Sequence, residues 1–154
     1  MRSLRLGRQF DAVFVHDAIV YMTTEEHLRQ AMTTAFVHTR EGGRAVFAPD
    51  YLRETFGPVT DCGGTDEGDR GIRYLEWQWD PDPDDDTYVV DYAFLLRDGE
   101  ETRVRHERHV EGLFPRATWE RLLREVGFEI GYARRAIGEG ACDEIFVARR
   151  PAHT

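Results

Sequence analysis

The sequence is poor in cysteine and contains no long hydrophobic segment. Its two cysteines, Cys62 and Cys142, lie far apart and form no CxxC pair, which excludes a disulfide-rich secreted scaffold and a zinc ribbon. The longest apolar run, residues 12–22, is interrupted by His16 and Asp17 and is too short to cross a bilayer. The first residues include no apolar core of a secretory signal, so we expect a cytoplasmic protein with no membrane partner.

The sequence also contains fewer basic than acidic residues. The 154 residues include 20 Lys and Arg against 29 Asp and Glu, so the formal net charge is −9. A surface of this sign repels a phosphate backbone, and we do not expect nucleic acid as a partner. With 41% hydrophobic and 12% aromatic residues, the chain can still bury a core, and its length fits a single domain.

The first third of the chain has the pattern of a strand, a helix and a second strand. Residues 10–17 form a short apolar run that is typical of a strand buried on both faces. Thr23 and Glu26 have the spacing of a capping box, and the helix that they begin is expected to end at the two glycines of residues 42–43. Residues 44–50 form a second apolar run, so we predict a βαβ unit with parallel strands.

The middle of the chain has the pattern of antiparallel strands. Residues 57–71 contain several glycines and are predicted to form a mobile loop. In residues 75–79 large apolar side chains alternate with polar ones, which predicts a strand whose polar side chains face water. Together with residues 87–97 and 101–114, this strand predicts an antiparallel meander.

Two features of this region suggest a metal site, and neither is persuasive. The aspartate-rich turn at residues 80–86 resembles a calcium-binding loop, but it lacks the glycine and the final glutamate of that loop. His106 and His109 are three residues apart in a predicted strand, so they face opposite sides and cannot bind one ion together. We therefore predict a solvated hairpin turn and no metal site.

The last part of the chain returns to a helix followed by strands. Residues 115–126 carry apolar side chains at helical spacing, and Gly127 is the expected stop. Residues 128–134 and 144–149 are predicted strands, joined by a turn that contains the glycines of residues 138–140. The whole pattern predicts a mixed α/β fold.

Four segments of the chain occur in an order and spacing that is found in a known family. They are residues 10–15, 42–47, 108–114 and 122–128. The series resembles the C-terminal part of class I S-adenosylmethionine-dependent methyltransferases. The segment at residues 108–114, Arg-His-Val-Glu-Gly-Leu-Phe, is similar to enzymes that methylate the amino group of nucleotide-linked sugars and to related small-molecule N-methyltransferases.

The resemblance implies a single methyltransferase-like domain at residues 1–154, with S-adenosylmethionine as cofactor and a small molecule as acceptor. Residues 1–56 and 115–154 would form a partial Rossmann-like sheet, and residues 72–114 an antiparallel β-meander insertion. The family holds its cofactor with a glycine-rich βαβ unit that has no counterpart in this sequence, and Met1 matches a position inside the family pattern. We therefore expect a truncated chain that lacks the main backbone donors for the cofactor.

Ligands of such sheets bind at the C-terminal ends of parallel strands. By resemblance, the cofactor-binding residues are Met1, Arg2, His16, Asp17 and Ala18. The acceptor-binding residues are Asp50, Tyr51 and Trp77, and the catalytic residues are Tyr21 and His109. The residues alone leave structural alternatives open: a loop residue for Asp17, a packed aromatic for Tyr21, a structural histidine for His109, and packing of the meander for Trp77.

A non-catalytic function is the alternative to methyl transfer. In the resembled fold a further strand covers the edge of the first strand, and an apolar edge without that cover is a template for another chain. We therefore expect a homodimer formed through the first-strand edge. In this interpretation the protein is a dimerising or partner-binding module, either a pseudoenzyme or a truncated remnant, and binding of S-adenosylmethionine distinguishes the two functions.

Overall fold

The computed structural model describes residues 1–136 and 142–152 and divides into two compact units. The first unit comprises Met1–Phe56 and Gly112–Thr154, and the second comprises Gly57–Glu111. Each unit contains a four-stranded sheet, and the helices belong to the first, so the mixed α/β class predicted from the sequence is confirmed. The turn predicted at residues 138–140 lies outside the described residues.

The sheet of the first unit combines parallel and antiparallel pairs. Its strands are β1 (Phe10–His16), β2 (Thr39–Ala48), β7 (Glu129–Ala136) and β8 (Cys142–Arg149), in the order β1-β2-β8-β7. β1 and β2 are parallel, whereas β8 runs antiparallel to both β2 and β7. The predicted βαβ unit is therefore confirmed, because a helix connects the two parallel strands.

That helix, α1 (Glu25–His38), begins one residue later than the capping-box pattern predicts. Thr24 is the N-cap, and its hydroxyl accepts a hydrogen bond from the backbone N–H of His27 at 3.2 Å. The prediction that Thr23 caps the helix is wrong, because the adjacent threonine takes the position. Glu26 then lies within the first turn, where its carboxylate accepts hydrogen bonds from Arg29 and Gln30. Its negative charge also interacts favourably with the positive end of the helix dipole.

α1 also ends earlier than predicted, at His38, and the two glycines lie inside β2. Gly42 has φ +73° and donates its N–H to the carbonyl of Arg150 at 2.9 Å. A Cβ at Gly43 would lie 2.8 Å from the backbone oxygen of Asp11. The glycines therefore permit close backbone approach within the sheet rather than stopping the helix.

The core of the first unit lies between its sheet and its helices. The second helix, α2 (Arg116–Val126), presents Trp119, which stacks on Phe146 of β8 at 5.2 Å and meets Phe47 of β2 edge-on at 6.4 Å. Each such fully buried apolar side chain stabilises the fold by roughly 1.5–3 kcal/mol. α2 ends at the predicted Gly127, in the left-handed conformation with φ +110°. None of the helices within the described residues is long and apolar enough to cross a membrane.

β1 is an edge strand, and the expectation that it is buried on both faces is wrong. Its only pairing among the described residues is with β2. Phe14, in the middle of the strand, is 65% exposed. The local sequence has the pattern of an internal strand of a parallel sheet, but the described chain supplies a neighbour on one side alone.

The second unit is a sheet of four consecutive strands. They are β3 (Val59–Glu67), β4 (Arg70–Trp79), β5 (Thr87–Asp98) and β6 (Glu101–Gly112), in the order β3-β4-β5-β6, with antiparallel pairing of β3 to β4 and of β4 to β5. The prediction of a mobile loop at residues 57–71 is therefore wrong, because this segment forms β3 and the start of β4.

The glycines of β3 are explained by cross-strand contacts. A Cβ at Gly63 would lie 2.8 Å from the ring of Tyr74, and one at Gly64 would clash with the backbone oxygen of Ile72 and lie 2.5 Å from the side chain of Arg73. In this hairpin the two β4 side chains and the carbonyl of Ile72 lie against the bare backbone of β3. The glycines are therefore packing positions and do not mark a loop.

The apolar side of β4 is the more exposed side, opposite to the expectation from its alternating pattern. Trp77 is 51% exposed, whereas Glu76 and Gln78 are half-buried. On the other face of the sheet, Tyr88 and Val90 of β5 are buried. Alternation predicts correctly that the two faces differ, but which face is covered depends on packing beyond the strand.

The aspartate turn between β4 and β5 satisfies its own backbone. Asp80, Asp82 and Asp85 accept hydrogen bonds from the backbone N–H groups of Asp82, Asp84 and Thr87, at 3.0, 3.1 and 2.7 Å. These carboxylates build Asx turns. The geometry fits the predicted hairpin turn.

Candidate functional site

The C-terminal ends of β1 and β2 lie at the same edge of the first sheet. The two strands are parallel, and from Ala12 to His16 they pair without a shift in register, so that His16 lies opposite Ala48. The residues that follow them, Asp17 after β1 and Asp50 after β2, are therefore close in space although they are far apart in the sequence. This edge is where open α/β sheets bind their ligands.

His16, Asp17 and Asp50 form a compact polar cluster at this edge. His16 Nδ1 lies 2.8 Å from a carboxylate oxygen of Asp17, and one ligand atom from each of the three residues falls within 4.8 Å of the others. An imidazole and two carboxylates are ligands that Zn²⁺ and similar ions accept. Sequence reasoning predicted no metal site because it considered spacing along the chain, whereas these groups come from the ends of two strands.

The backbone of Asp17 is unusual. It has φ 44° and ψ −74°. Among the residues that the structure describes, it is the only non-glycine residue with a positive φ. Such a conformation costs on the order of 1–3 kcal/mol and persists where the surrounding structure imposes it. Here it turns the chain from β1 into a 3₁₀ helix, Ala18–Tyr21, whose first bond runs from the N–H of Val20 to the carbonyl of Asp17 at 2.9 Å.

The 3₁₀ helix separates buried anchors from an exposed tyrosine. Ile19 and Val20 belong to the core of the first unit, while Tyr21 is 49% exposed. Tyr21 is therefore held on a short, anchored element with its ring at the surface. This exposure differs from the alternative of a packed aromatic, and it leaves half of the side chain open to a ligand.

The segment after β2 is anchored in a similar way. Asp50 is exposed, and the half-buried ring of Tyr51 packs edge-on against Phe56 at 5.4 Å. The next residue, Leu52, is buried, and its backbone N–H donates to the hydroxyl of Thr55 at 3.0 Å. These contacts fix the direction in which Asp50 and Tyr51 leave the sheet.

An apolar groove of about 390 Å³ runs beside β1. Its lining joins the N-terminal residues to the end of the strand and includes Met1, Leu4, Leu6, Phe10, Phe14 and His16. The N-terminal segment is held there by α1, since the hydroxyl of Thr34 donates to the carbonyl of Arg2 at 2.7 Å. The structure thus brings Met1 and His16, two predicted cofactor-binding residues, to one groove.

The other two predicted site residues, Trp77 and His109, belong to the second unit and lie on opposite faces of its sheet. Trp77 is opposite Asp91 in the register of β4 and β5. The ring of His109 instead contacts Tyr92, the next residue of β5, edge-on at 5.3 Å. Neighbouring residues of a strand point to opposite faces, so the sheet does not bring these two residues together.

The Trp77 face carries a polar cluster around Asp91. The carboxylate of Asp91 accepts bonds from Arg108 Nε and Nη2, both at 2.9 Å, and from Trp79 Nε1 at 3.0 Å, and it lies 2.8 Å from His106 Nε2. The Arg108 guanidinium, with help from Trp79 and His106, holds the pKa of the Asp91 carboxyl well below its usual range. His106 and His109 contact opposite faces, as their spacing predicts.

The His109 face contains a buried acid that sequence reasoning missed. Glu111 is 6% exposed, and its carboxylate accepts a hydrogen bond from the Tyr88 hydroxyl at 2.5 Å. Burial raises the pKa of Glu111, while the Tyr88 bond and the His109 charge act in the opposite direction. The available sequence signal was the spacing of His109 and Glu111, which puts both on one face of β6.

Comparisons with known proteins show which solved structures have a similar fold. The sequence matches neither a protein-family model nor a curated protein. Solved structures do match. DesVI from Streptomyces venezuelae is 25% identical with a TM-score of 0.81, covering 98% of this chain and 62% of DesVI.

Two further solved structures are of sugar methyltransferases. The sugar N-methyltransferase KedS8 from Streptoalloteichus is 22% identical with a TM-score of 0.84, covering 98% of this chain and 60% of that one. CalS10, an amino pentose methyltransferase from Micromonospora echinaspora with bound S-adenosylmethionine, is 22% identical with a TM-score of 0.80, covering 97% and 61%. The chain thus spans about three fifths of each structure. The resemblance predicted from the sequence is confirmed at the level of the fold.

Proposed function

We propose that this chain serves in the transfer of a methyl group from S-adenosylmethionine to an amine on a sugar or a related small metabolite. The observation that carries the proposal is the likeness to KedS8 and CalS10 over nearly the whole of this chain, since both are described as acting on sugars. Fold likeness alone does not fix a reaction. The proposal therefore depends also on whether the residues at the sheet edge suit the cofactor and an amine.

The residues present suit two parts of S-adenosylmethionine. The groove between Met1 and His16 is apolar and can receive the flat adenine base, with the Arg2 segment forming its N-terminal border. At the strand end, the carboxylate of Asp17 attracts the cationic amino group, and Ala18 leaves space beside it. Among the described residues, no glycine-rich turn follows β1 or β2, so these strands offer no such cradle for the remaining polar groups.

When bound, S-adenosylmethionine supplies an electrophilic methyl group, and the protein has to hold a neutral amine in line with it. We assign Asp50 and Tyr51 to binding the acceptor, because they leave the sheet at the same edge as Asp17. The hydroxyl of Tyr21, whose side chain is half-exposed, orients the amine. In the second unit, the side chain of His109 is the candidate for accepting a proton, because an imidazole is a common general base in enzymes.

The second candidate function is a non-catalytic module that dimerises through the edge of β1. The observation that favours it is the 65% exposure of Phe14 on a strand with one described neighbour. An apolar strand edge pairs readily with another strand. In this case two copies would pair along β1, and the residues at the C-terminal ends of β1 and β2 would have no catalytic role.

Titration calorimetry with S-adenosylmethionine distinguishes the two functions. At about 100 times its Kd, a ligand stabilises the folded state by about 2.7 kcal/mol, so Tm should rise visibly. Asp17→Asn should weaken binding about 10-fold, since it removes a charged partner, whereas Asp82→Asn, in the aspartate turn, should not. Absence of binding at millimolar ligand would reject the enzyme function for this chain.

A positive result leads to an acceptor assay. The chain is incubated with S-adenosylmethionine and a set of nucleotide-linked amino sugars, and the products are examined by mass spectrometry for the gain of one methyl group. Hydroxyl analogues of the same sugars are the matched control. Methylation of the hydroxyl analogues alone would contradict an amine acceptor.

A further inference from the structure

The side chain of His38 is buried near the C-terminal end of α1, and both of its ring nitrogens have backbone partners. His38 is 6% exposed. Its Nδ1 lies 2.7 Å from the carbonyl oxygen of Thr34, and its Nε2 lies 2.9 Å from the backbone nitrogen of Leu6. Because a carbonyl can only accept and a backbone N–H can only donate, both bonds form only in the neutral ring that carries its proton on Nδ1. The charge of this ring is therefore coupled to the position of Leu6.

Residues 1–6, which we call the N-terminal strap, make two further bonds to α1 through one side chain. The hydroxyl of Thr34 donates to the carbonyl of Arg2 at 2.7 Å and accepts a hydrogen bond from Nη1 of Arg5 at 3.0 Å. A hydroxyl and a guanidinium keep their protonation state near neutral pH, whereas an imidazole is the group that changes its charge there. Of these three bonds, the one at His38 is therefore the one that acid can break.

The charges on the elements around the ring do not favour a positive His38. They belong to Met1 (its amino group), Arg2 and Arg5 of the strap, Asp11 and His16 of β1, Arg40 and Glu41 of β2, and Arg150 after β8. Asp11 pairs with Arg40, and the acids of α1 itself lie in its first turn. Within the residues that the structure describes, no carboxylate forms an ion pair with His38. A proton added to this ring therefore creates a buried positive charge without an anionic partner.

We propose that His38 is a pH-dependent switch that holds the strap on α1 while its ring is neutral and releases the strap when the ring is protonated. The added proton binds the lone pair of Nε2, so this nitrogen becomes a donor that faces the N–H of Leu6, which is also a donor. The bond to Leu6 is lost, while Nδ1 can still donate to Thr34. The buried charge adds to the free-energy cost of keeping the strap in place.

Release of the strap changes the apolar groove beside β1. Met1, Leu4 and Leu6 line this groove of about 390 Å³ together with Phe10 and Phe14. When the strap leaves α1, the groove loses the wall that its residues form, so an apolar ligand bound there loses part of its contact area. The inference goes beyond the proposed function, because the bond between His38 and Leu6 needs neither cofactor nor acceptor.

The test follows the His38 ring and the Leu6 amide in the ¹⁵N-labelled full chain without a ligand. Ring-nitrogen chemical shifts report the charge of His38 from pH 8 to pH 5. Hydrogen exchange, corrected for the intrinsic effect of pH, reports the protection of Leu6. We expect this protection to fall about 10-fold as the ring becomes charged, because one hydrogen bond is lost. The amide of Met32, in the middle of α1, should keep its protection, which separates release of the strap from unfolding.

Two variants separate the charge of the ring from its bonds. His38→Gln offers a donor and an acceptor without a titrating group, so the protection of Leu6 should stay constant from pH 8 to pH 5. His27→Gln, the matched control on the same helix, should keep the wild-type pH dependence. A wild-type ring that stays neutral down to pH 5, or a charged ring that leaves Leu6 protected, would overturn the proposal. Both of these outcomes are measured in the wild type, whether or not a variant folds.

Binding of S-adenosylmethionine is measured separately. If the proposed function also holds, the affinity for this cofactor should fall over the same pH interval in the wild type and should not fall in His38→Gln. Absence of binding at every pH would reject the proposed function, and the protection of Leu6 would still decide whether His38 is a switch.

Discussion

The imidazole of His38 fastens the N-terminal segment to α1. Its Nε2 accepts a hydrogen bond from the backbone N–H of Leu6 at 2.9 Å, and its Nδ1 lies 2.7 Å from the carbonyl of Thr34. A carbonyl can only accept, so Nδ1 carries the proton and Nε2 supplies the lone pair. One neutral histidine thus joins two stretches of backbone that border the apolar groove.

Loss of this histidine should release the groove wall. We expect His38→Ala to lower the free energy of unfolding by about 1–3 kcal/mol, because the buried ring of His38 no longer bonds the two backbone groups. Hydrogen exchange at the Leu6 amide should accelerate well beyond the change in global stability. The control is His27→Ala on the same helix, whose backbone N–H and not its ring makes the capping bond. Equal protection of Leu6 in both variants would contradict this role.

Asp91 should make the stability of the protein sensitive to acid. Its pKa is lowered in the folded state, chiefly by Arg108, so the ionised carboxylate stabilises the fold above its unfolded pKa of about 3.9. That contribution is lost as the pH falls below this value towards the folded pKa. Thermal melts from pH 7 to pH 2 should show a lower Tm for Asp91→Asn at pH 7 and convergence with the wild type in acid. A constant difference across the range would argue against the ion pair.

Glu111 should act in the opposite direction. Its pKa is raised by burial, so the ionised form is disfavoured in the fold, and stability falls as the pH rises from the unfolded value of about 4.3 through the folded pKa. We expect Glu111→Gln to be at least as stable as the wild type at pH 8 and to lose this advantage near pH 4. Urea unfolding at the two pH values measures it. A variant that is destabilised more at pH 8 than at pH 4 would show that the charge itself supports the fold.

The edge of β1 should control self-association, if the chain dimerises there. Phe14→Lys places a charge on the exposed strand and should shift a homodimer to the monomer, because an edge lysine disfavours strand pairing. Sedimentation velocity over a range of concentrations measures the change. Val104→Lys, at an exposed apolar position of the second unit, is the matched control. A dimer that survives the first substitution and dissociates with the second would move the interface to the second sheet.

Local sequence patterns were sufficient for the first unit. The apolar run at residues 10–17, the threonines before α1 and Gly127 each signal an element through interactions within a few residues. The parallel pairing of β1 and β2 followed from the length of their connection. The errors there were in boundaries, such as the choice between the adjacent threonines Thr23 and Thr24, and in the burial of β1, which depends on how many strands lie beside it.

Contacts between distant residues explain what the sequence did not predict. In the sequence, Gly63 and Gly64 resemble loop residues. In the structure they lie against the neighbouring strand, where a Cβ would clash with Tyr74 and with the Ile72 backbone. The pairing of Tyr88 with Glu111 depends on the register of separate strands. The cluster of His16, Asp17 and Asp50 also depends on long-range contacts. Each residue was predicted separately to bind a ligand, and the pairing of β1 with β2 brings the three together. Long-range register is not encoded in any short window of sequence.

The direction of β1 has a geometric consequence for a twofold assembly whose axis is perpendicular to the sheet. Such a rotation places two copies of this strand side by side and antiparallel. The two four-stranded sheets would then continue into one another, with each His16 beside the first residues of the opposite β1. The two ligand-binding edges would face away from each other, so neither copy could complete the other's crevice, and each would have to bind its cofactor with its own residues.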